Sequence, residues 1–460
     1  MSLRELAEAV RARRVGAHEL VAESLRRIET HDPDLGAVVA LRAEAALDDA
    51  TGLDAALAGG GDAGPLAGLP LLVKDMTDVT GMRTTFGSRA FAESPPATAD
   101  ALVVRRLRAA GAIVVGKTNM PEFAAEGYTA NELFGATRNP WNRERTPGGS
   151  SGGSAAAISA GMAAIATATD GGGSVRIPAA YCGLFGLKPT NGVIGRAPIP
   201  DWIDLSTDGP LTARADDLRI LLGVLRGPAA GDPTAAPVPP TEWPERTGNV
   251  TVIERWTDFG PLPAEVAEAF EAALARFSQV FGVDLRRTTP AELLGDARID
   301  EDWATIAGAE HAHRYGRAWL DEHEEDLGPS TRAWLRWGFA VTQEAYMAAR
   351  RRRFDHVRVF DDLLGEDGLL LSPVMATDAI DAAGPRDDQI TGPELYVTTA
   401  QNITGHPALS LPAGALPSGV RFGLQVTAPR FRDDLLLWIA DRWEEAEPPA
   451  MPPGYTPFSA

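Results

Sequence analysis

Residues 146–176 constrain the fold more than any other part of the chain, because they are almost entirely glycine, serine, alanine and threonine (TPGGSSGGSAAAISAGMAAIATATDGGGSVR). Residues 154–162 can form a helix with almost no large side chains, so that neighbouring backbones can approach it closely. Residues 163–169 are suited to a buried strand. The segment therefore predicts a closely packed helix and strand with a glycine-rich loop at each end.

Elsewhere, short apolar runs alternate with amphipathic helical segments. The predicted strands are Leu69–Val73, Ala112–Val115, Val250–Ile253, Leu369–Ser372, Ala408–Leu411 and Phe422–Val426. An N-terminal helix is predicted from the cap that Ser2 and Glu5 can form. Further helices are predicted over residues 17–30, 99–110, 264–281, most of 301–362, and 433–446. This alternation predicts an α/β fold, a single large domain with a mixed, mostly central β-sheet flanked by helices on both faces.

The charge balance argues against two classes of partner. The chain has 63 acidic and 43 basic residues and a formal net charge of −20, so it repels phosphate backbones and anionic membranes. It has no run of 18 apolar residues and no signal-peptide core. We therefore expect a cytoplasmic protein that binds neither nucleic acid nor membranes.

The single cysteine, Cys182, excludes an intramolecular disulfide and any multi-cysteine metal site. Its neighbours in AYCGLFGL are apolar, which favours a small buried side chain over a nucleophile. His311 and His313 are two residues apart in a predicted helix and point to different faces. We interpret both as solvated helix residues and expect no metal and no cofactor.

Only three of the 43 basic residues are lysines, namely Lys74, Lys117 and Lys188. Lysine, unlike arginine, can be deprotonated when it is buried, so each retained lysine is a candidate for chemistry. Lys117 lies in GAIVVGKT, which matches the phosphate-binding loop pattern of NTPases letter by letter. However, Ala-Ile-Val-Val is mostly stiff strand-forming sequence, so a P-loop NTP-binding protein remains only as an alternative of another class.

Gly149–Gly153 (GSSGG) matches the nucleophile-elbow pattern of serine hydrolases. An elbow requires a strand that runs directly into the serine, whereas the polar segment NRERTP comes before this one. A Ser-His-acid enzyme would also need a downstream histidine, for which His406 is the best candidate. We therefore disfavour this interpretation.

A stronger pattern combines glycines, serines and a buried lysine. The run Gly171–Gly173 can turn its N–H groups inward as an anion nest beside Ser174, with Asp170 bracing the loop. A serine hydroxyl needs a base, and Lys74 after its apolar strand can be neutral because desolvation lowers its pKa. Ser150 or Ser151 could relay the proton between them. The alternative is that the small residues only allow close packing.

The segment from Gly148 to Thr190 closely resembles the signature of the amidase signature family. Further motifs along the chain also resemble this family. They are LPLLVKD (Leu69–Asp75), VVGKTNMPEF (Val114–Phe123), LFGATRNPWN (Leu133–Asn142), STDGPLTARADDL (Ser206–Leu218), NITGHPALSLPAG (Asn402–Gly414) and GLQVTAP (Gly423–Pro429). The resemblance covers most of the chain and fades over 226–360.

This resemblance implies one amidase domain over 1–460. Its parts are N-terminal helices in 1–60, a catalytic signature core in 65–215, a variable region in 226–360 that is expected to form part of the substrate pocket, and the C-terminal part of the core in 365–446. Residues 226–248 carry six prolines and are predicted to be a surface connection.

The resemblance also implies a Ser–cis-Ser–Lys triad. Ser174 corresponds to the nucleophile, Ser150 to the bridging serine with a cis peptide bond, and Lys74 to the base. The other implied positions are the N–H groups of Gly171, Gly172, Gly173 and Ser174 for the oxyanion hole, and Ser151, Asp170 and Arg176 for support. Relatives usually have a bulkier residue at the position of Gly171, so a looser oxyanion loop is expected here.

The substrate pocket is expected at the loop 124–128, which lines it in relatives. The candidate residues are Ala125, Glu126, Gly127 and Tyr128. Residues 300–400 are expected to complete the pocket, and the tryptophans there suggest an apolar wall, although core packing explains them equally well. They are Trp303, Trp319, Trp334 and Trp337.

The expected activity is hydrolysis of the C–N bond of small neutral or aryl amides, with carbamates and esters as further substrates. No partner other than this substrate is expected, and the chain should act as a monomer or homodimer. The alternative within the family is the glutaminase subunit of a tRNA-dependent amidotransferase.

Overall fold

The computed structural model of the protein describes residues 1–235, 237, 247–256, 261–296, 298–385 and 397–458. The helices of these residues are α1 Leu3–Arg11, α2 Ala17–Leu35, α3 Ala43–Ala58, α4 Leu102–Ala109, α5 Gly152–Ser159, α6 Arg176–Cys182, α7 Ala215–Leu225, α8 Ala264–Phe281, α9 Pro290–Leu294, α10 Ile299–Tyr315, α11 Arg317–His323, α12 Pro329–Ala340, α13 Gln343–Leu364, α14 Thr399–Thr404 and α15 Asp433–Ala446. Much of the predicted surface connection 226–248 lies outside the described residues.

The strands in the same ranges are β1 Val38–Leu41, β2 Pro70–Lys74, β3 Ile113–Thr118, β4 Ala130–Asn131, β5 Gly135–Ala136, β6 Ile165–Ala166, β7 Thr169–Asp170, β8 Phe185–Lys188, β9 Thr207–Asp208, β10 Leu211–Thr212, β11 Val250–Val252, β12 Leu285–Arg287, β13 Leu369–Pro373, β14 Ala408–Ala415 and β15 Arg421–Thr427. The expected α/β class with a mixed sheet and flanking helices is confirmed. None of the described helices is long and apolar enough to cross a membrane.

The larger sheet has seven strands in the order β10-β8-β14-β15-β13-β11-β12. Its only parallel pairs in the described part of the chain are β11 with β12 and β11 with β13, so the sheet is mixed. A second sheet has the order β1-β3-β2-β6, with β2 parallel to both β3 and β6. Lys74 is the last residue of β2, so this second sheet positions its side chain.

The strand predicted over 163–169 is instead two strands of two residues each. β6 pairs with β2, whereas β7 pairs with β9 in a separate two-stranded ribbon. The chain therefore leaves the sheet just before the glycine loop, and this exit brings Thr169 and Asp170 to the site.

The small-residue helix α5 is buried along its whole length. A Cβ at Gly152 would lie 2.2 Å from Thr129 Oγ1, and one at Gly153 would lie 2.5 Å from the carbonyl oxygen of Asn119. Such distances exclude any larger residue without movement of the neighbouring chain. The close backbone approach predicted from composition is therefore present, and it fixes the loop that carries Ser150.

Candidate active site

Lys74 is fully buried at the end of β2. Its Nζ lies 2.7 Å from Ser150 Oγ, 3.0 Å from Ser151 Oγ and 2.9 Å from Thr169 Oγ1. Burial lowers the pKa of Lys74 from its ordinary value of 10.5 to about 7, against the pull of two nearby carboxylates. A substantial fraction of the amine is therefore neutral near pH 7, as a proton acceptor must be.

Three hydroxyl groups around one amine suit this neutral form. An uncharged amine has two N–H donors and one lone pair, and each hydroxyl can both donate and accept. Lys74 can thus accept the proton of Ser150 while it donates to Ser151 and Thr169. The sequence analysis did not predict a role for Thr169. The only feature that could have pointed to it is its position directly before Asp170, which was predicted to brace the glycine loop.

The loop that carries Ser150 needs glycine before the serine. The Gly149–Ser150 peptide is cis, the geometry that the family resemblance implies. A Cβ at Gly149 would lie only 2.7 Å from the carbonyl oxygens of Glu126 and Tyr128. The 126–128 backbone therefore supports the back of this loop.

Ser174 follows the glycine loop and lines the same cavity as Ser150. The buried carboxylate of Asp170 braces this loop by accepting the Gly173 N–H at 2.9 Å. Arg176 donates to both Asp170 oxygens, at 2.7 and 2.9 Å, and is itself fully buried. Although burial opposes it, the Arg176 charge lowers the pKa of Asp170 to about 2, so the ion pair persists at neutral pH.

The same hydrogen bond corrects one part of the expected oxyanion hole. The Gly173 N–H is occupied by Asp170, and the carbonyl of the same peptide unit, that of Gly172, accepts the Thr398 hydroxyl at 2.5 Å. Both polar groups of this peptide are thus used to hold the loop. The N–H groups of Gly171, Gly172 and Ser174 remain the candidates for an oxyanion.

Two tryptophans pack against the first glycines of the loop. Trp303 Nε1–H donates to the Gly171 carbonyl at 2.8 Å, which directs the Gly172 N–H of the same trans peptide away from Trp303. A Cβ at Gly171 would lie 2.4 Å from the Trp202 ring. Trp202 therefore occupies the space that a larger side chain would fill, which argues against the expected loosening at Gly171.

The cavity at Ser174 corrects the predicted pocket. Phe123 and Ala124 line it together with Met76, Trp202 and His311. The predicted residues Ala125, Glu126, Gly127 and Tyr128 are not part of this lining; the backbone of Glu126 and Tyr128 lies behind Gly149 instead. Of the four tryptophans, Trp303 contacts the glycine loop, Trp319 and Trp334 pack among aromatic rings, and Trp337 stacks on Trp334 while 42% exposed.

His311 corrects a further prediction. It is only 1% exposed and lines the cavity, so it is not a solvated helix residue, although His313 does lie on another face with its Nδ1 near the Ala309 carbonyl. The helical spacing of the two histidines was right, but which face is covered depends on the packing of α10. No group of three His, Cys, Asp or Glu among the described residues could hold a metal ion.

The remaining candidates have structural contacts. Lys117 lies within β3 rather than a phosphate loop, and its buried ammonium is 2.9 Å from Asp75. No strand enters Ser150, and His406 lies against Asp361 rather than at the cavity. Cys182 is buried, and burial raises the pKa of its thiol. These environments argue against the NTP-binding and Ser-His-acid interpretations.

Comparison with known proteins agrees with this geometry. The model of the amidase family matches residues 19–437. A protein of Mycobacterium tuberculosis provisionally named amidase AmiA2 is 33% identical, over 96% of this chain and 92% of its own. A component of the glutamyl-tRNA(Gln) amidotransferase of Chromohalobacter salexigens is 34% identical, over 97% of this chain and 96% of its own.

Solved structures give the same fold. A bacterial aryl acylamidase of the amidase signature enzymes superposes with a TM-score of 0.88 at 25% identity, covering 97% of this chain and 96% of its own. A 6-aminohexanoate cyclic dimer hydrolase superposes with a TM-score of 0.85 at 30% identity, covering 98% of each chain. Sequence, fold and site agree: the chain belongs to the amidase signature family of hydrolases, which act on C–N bonds other than peptide bonds.

Proposed function

We propose that this hydrolase cleaves small neutral or aryl amides, and also carbamates and esters, through an acyl-enzyme on Ser174. The observation that carries the proposal is the contact of 2.7 Å between the buried Lys74 Nζ and Ser150 Oγ, at the cavity that Ser174 also lines. A neutral buried amine next to a serine is a base for which the fold has no other evident use.

In acylation, neutral Lys74 accepts the proton of Ser150 while Ser150 accepts that of Ser174. Ser174 Oγ then bonds to the substrate carbonyl carbon, and the C=O electron pair moves to oxygen. The free N–H groups of the glycine loop stabilise that oxyanion. As the C–N bond breaks, the proton returns from Lys74 through Ser150 to the leaving nitrogen.

In deacylation, water attacks the ester carbon of the acyl-enzyme. The same relay takes one proton from the water and delivers it to Ser174 Oγ as the ester bond breaks. Acid and free enzyme are the products, and Lys74 ends neutral as it began. Each general acid–base step of this kind contributes on the order of 10²–10⁴-fold to the rate.

The charges at the cavity favour an uncharged acyl group. Its described lining contains one carboxylate, Asp201, and neither lysine nor arginine. His311 is uncharged at neutral pH, because burial lowers its pKa to about 4. A substrate carboxylate would find no cation in this lining, which weakens the glutaminase alternative despite the amidotransferase components among the relatives.

The space beside Ser174 is about 30 Å³, enough for roughly one water, so a substrate must displace side chains as it binds. A second cavity of about 670 Å³ shares Pro200 and Asp201 with the first, and the one arginine in its described lining, Arg314, donates to Asp201 at 3.2 Å. We infer that a bound amide extends across this shared wall. Trp303 and His311 support the proposal that the 226–360 region completes the pocket. We also propose that the enzyme acts as a monomer or homodimer and needs no RNA.

The test is a panel of substrates with one common acyl group, namely an anilide, a primary amide and an ester, together with a carbamate of matched length and glutamine. We expect turnover of the anilide and ester in the parent and none in Ser174→Ala. A fluorophosphonate probe should label Ser174, as mapped by peptide mass spectrometry. Labelling of Ser150 or Ser151 instead, or turnover of glutamine alone, would overturn the proposal.

A further inference from the structure

His311 is a buried polar group for which the acyl transfer described above has no use. It lies on α10, is 1% exposed and lines the cavity that holds Ser150 and Ser174. Its ring packs against Phe123 and Trp202, with centroids at 5.6 and 6.0 Å. A histidine in such an aromatic setting costs free energy unless both ring nitrogens are used.

One of its two nitrogens has a fixed role. Trp334 Nε1 lies 3.1 Å from His311 Nδ1. An indole N–H can only donate, so Nδ1 must accept and the proton of the neutral ring must lie on Nε2. The Trp334 contact therefore makes Nε2 a hydrogen-bond donor.

The donor has no hydrogen-bond acceptor in the described part of the chain. His311 Nε2 is buried without a partner, and the nearest carboxylate oxygen, Asp201 Oδ2, is 4.0 Å away, beyond hydrogen-bond reach. Asp201 is itself engaged by Arg314 at 3.2 Å and by the Tyr315 hydroxyl at 3.2 Å. The Nε2–H thus lies at the cavity, ready for an acceptor that comes with a ligand.

We propose that His311 Nε2–H is a specificity determinant that donates to a neutral acceptor atom of the substrate other than the scissile carbonyl oxygen. The acceptor is an ether or carbamate oxygen or a second carbonyl. It is neutral because the Asp201 carboxylate at 4.0 Å repels an anion at that point. The inference rests on the proposed amidase function for its substrate, and it adds which amides the cavity selects.

The test compares three 4-nitroanilides of equal chain length. The acyl group of the butyryl compound has no acceptor beyond the scissile carbonyl, whereas the methoxyacetyl and ethoxycarbonyl groups each replace one methylene by oxygen; the nitro group is common to all three. The measured quantity is the ratio of kcat/KM for an oxygen compound to that for the butyryl compound, because intrinsic reactivity cancels when variants are compared. We expect the ratio of at least one oxygen compound to fall about tenfold in His311→Phe.

Two variants separate a donor from mere packing. His311→Gln keeps an N–H donor on a shorter planar group and should retain more of the ratio than His311→Phe. If His311→Phe does not fold, the double variant with Trp334→Phe removes both partners of the internal hydrogen bond, so that no donor is left buried and unpaired. If kcat/KM changes by the same factor on all three anilides in whichever of these variants folds, the inference is overturned while the amidase function stays intact.

A second measurement does not depend on turnover. In Ser174→Ala labelled with ¹⁵N-histidine, the His311 signal, identified by its loss in His311→Gln, should show the Nε2–H tautomer. At least one of the two oxygen-containing anilides should shift that proton downfield, and the butyryl anilide should not. A parent that hydrolyses no anilide would refute the proposed function, whereas an Nδ1–H tautomer or no differential shift would refute the role of His311.

Discussion

The kcat/KM for an anilide should rise with pH along a limb centred near pH 7, because only neutral Lys74 can accept the relay proton. Burial lowers the Lys74 pKa from 10.5 to about 7. The neutral fraction is then about 1% at pH 5, half at pH 7 and about 90% at pH 8, so the activity should rise roughly 90-fold over this range. An unperturbed lysine would be only about 1 in 3,000 neutral at pH 7, and its limb would not level off below pH 10.

The hydroxyls around Lys74 offer a way to move this limb. A protonated Lys74 needs all three as acceptors, whereas the neutral amine needs only two. Thr169→Val should therefore disfavour the charged form and shift the limb to lower pH. If the lost hydrogen bond contributes a net free energy of about 0.5–1.5 kcal/mol to the charged form, the midpoint of the limb should shift by roughly 0.4–1 pH unit.

The assay is nitroaniline release between pH 5 and pH 9 at constant ionic strength, with substrate well below KM. Two other buried groups titrate nearby, since burial lowers the pKa of Lys188 to about 7 and raises that of Asp208 to about 6. Lys188→Met is the matched control and should keep the limb. Asp208→Asn should move it to lower pH, because the Asp208 carboxylate raises the Lys74 pKa.

The residual activity of Lys74→Ala should lack the limb, and Lys74→Arg should be no better, since a guanidinium stays protonated. A limb that survives in Lys74→Ala would refute the assignment of the base. The assignment would also be refuted if the pH-dependent limb of kcat/KM disappeared in Lys188→Met and did not move in Thr169→Val.

Three further results are expected. Lys74→Ala should lose at least about tenfold more kcat/KM on an anilide than on an ester with the same acyl group, because an amine leaves only when protonated; equal losses, with acylation limiting both, would contradict this. Gly171→Ala should lower kcat on the order of 10²–10³-fold, since its Cβ would lie 2.4 Å from the Trp202 ring and displace the oxyanion donors. Adding Trp202→Ala should restore part of that loss, and an unchanged kcat in the single variant would refute the packing argument. Asp170→Asn should lower the free energy of unfolding by about 3–5 kcal/mol in urea titrations, because Arg176 would keep a buried charge without its partner; a midpoint equal to that of the parent would contradict it.

Much of the site was predictable because its constraints are local. Gly149, Gly152 and the loop glycines lie where a Cβ would meet neighbouring chain, so composition alone marks them. The three lysines retained in an arginine-rich chain all prove to be fully buried. Apolar strands of four or five residues, such as the one that ends at Lys74, are recognisable because both of their faces are covered.

The tertiary structure alone decided what surrounds those residues. Whether Gly173 gives its N–H to an oxyanion or to Asp170 depends on a rotation of one peptide, which no spacing reports. Thr169 became a partner of Lys74 because the chain leaves the second sheet after β6 and pairs β7 with β9 instead, near the end of β2. His311 looked like a surface residue because helical periodicity gives the direction of a side chain but not what covers it. The packing of α12 against α10 placed Trp334 on its Nδ1, and this long-range contact leaves the Nε2–H as a donor at the cavity that Ser150 and Ser174 line.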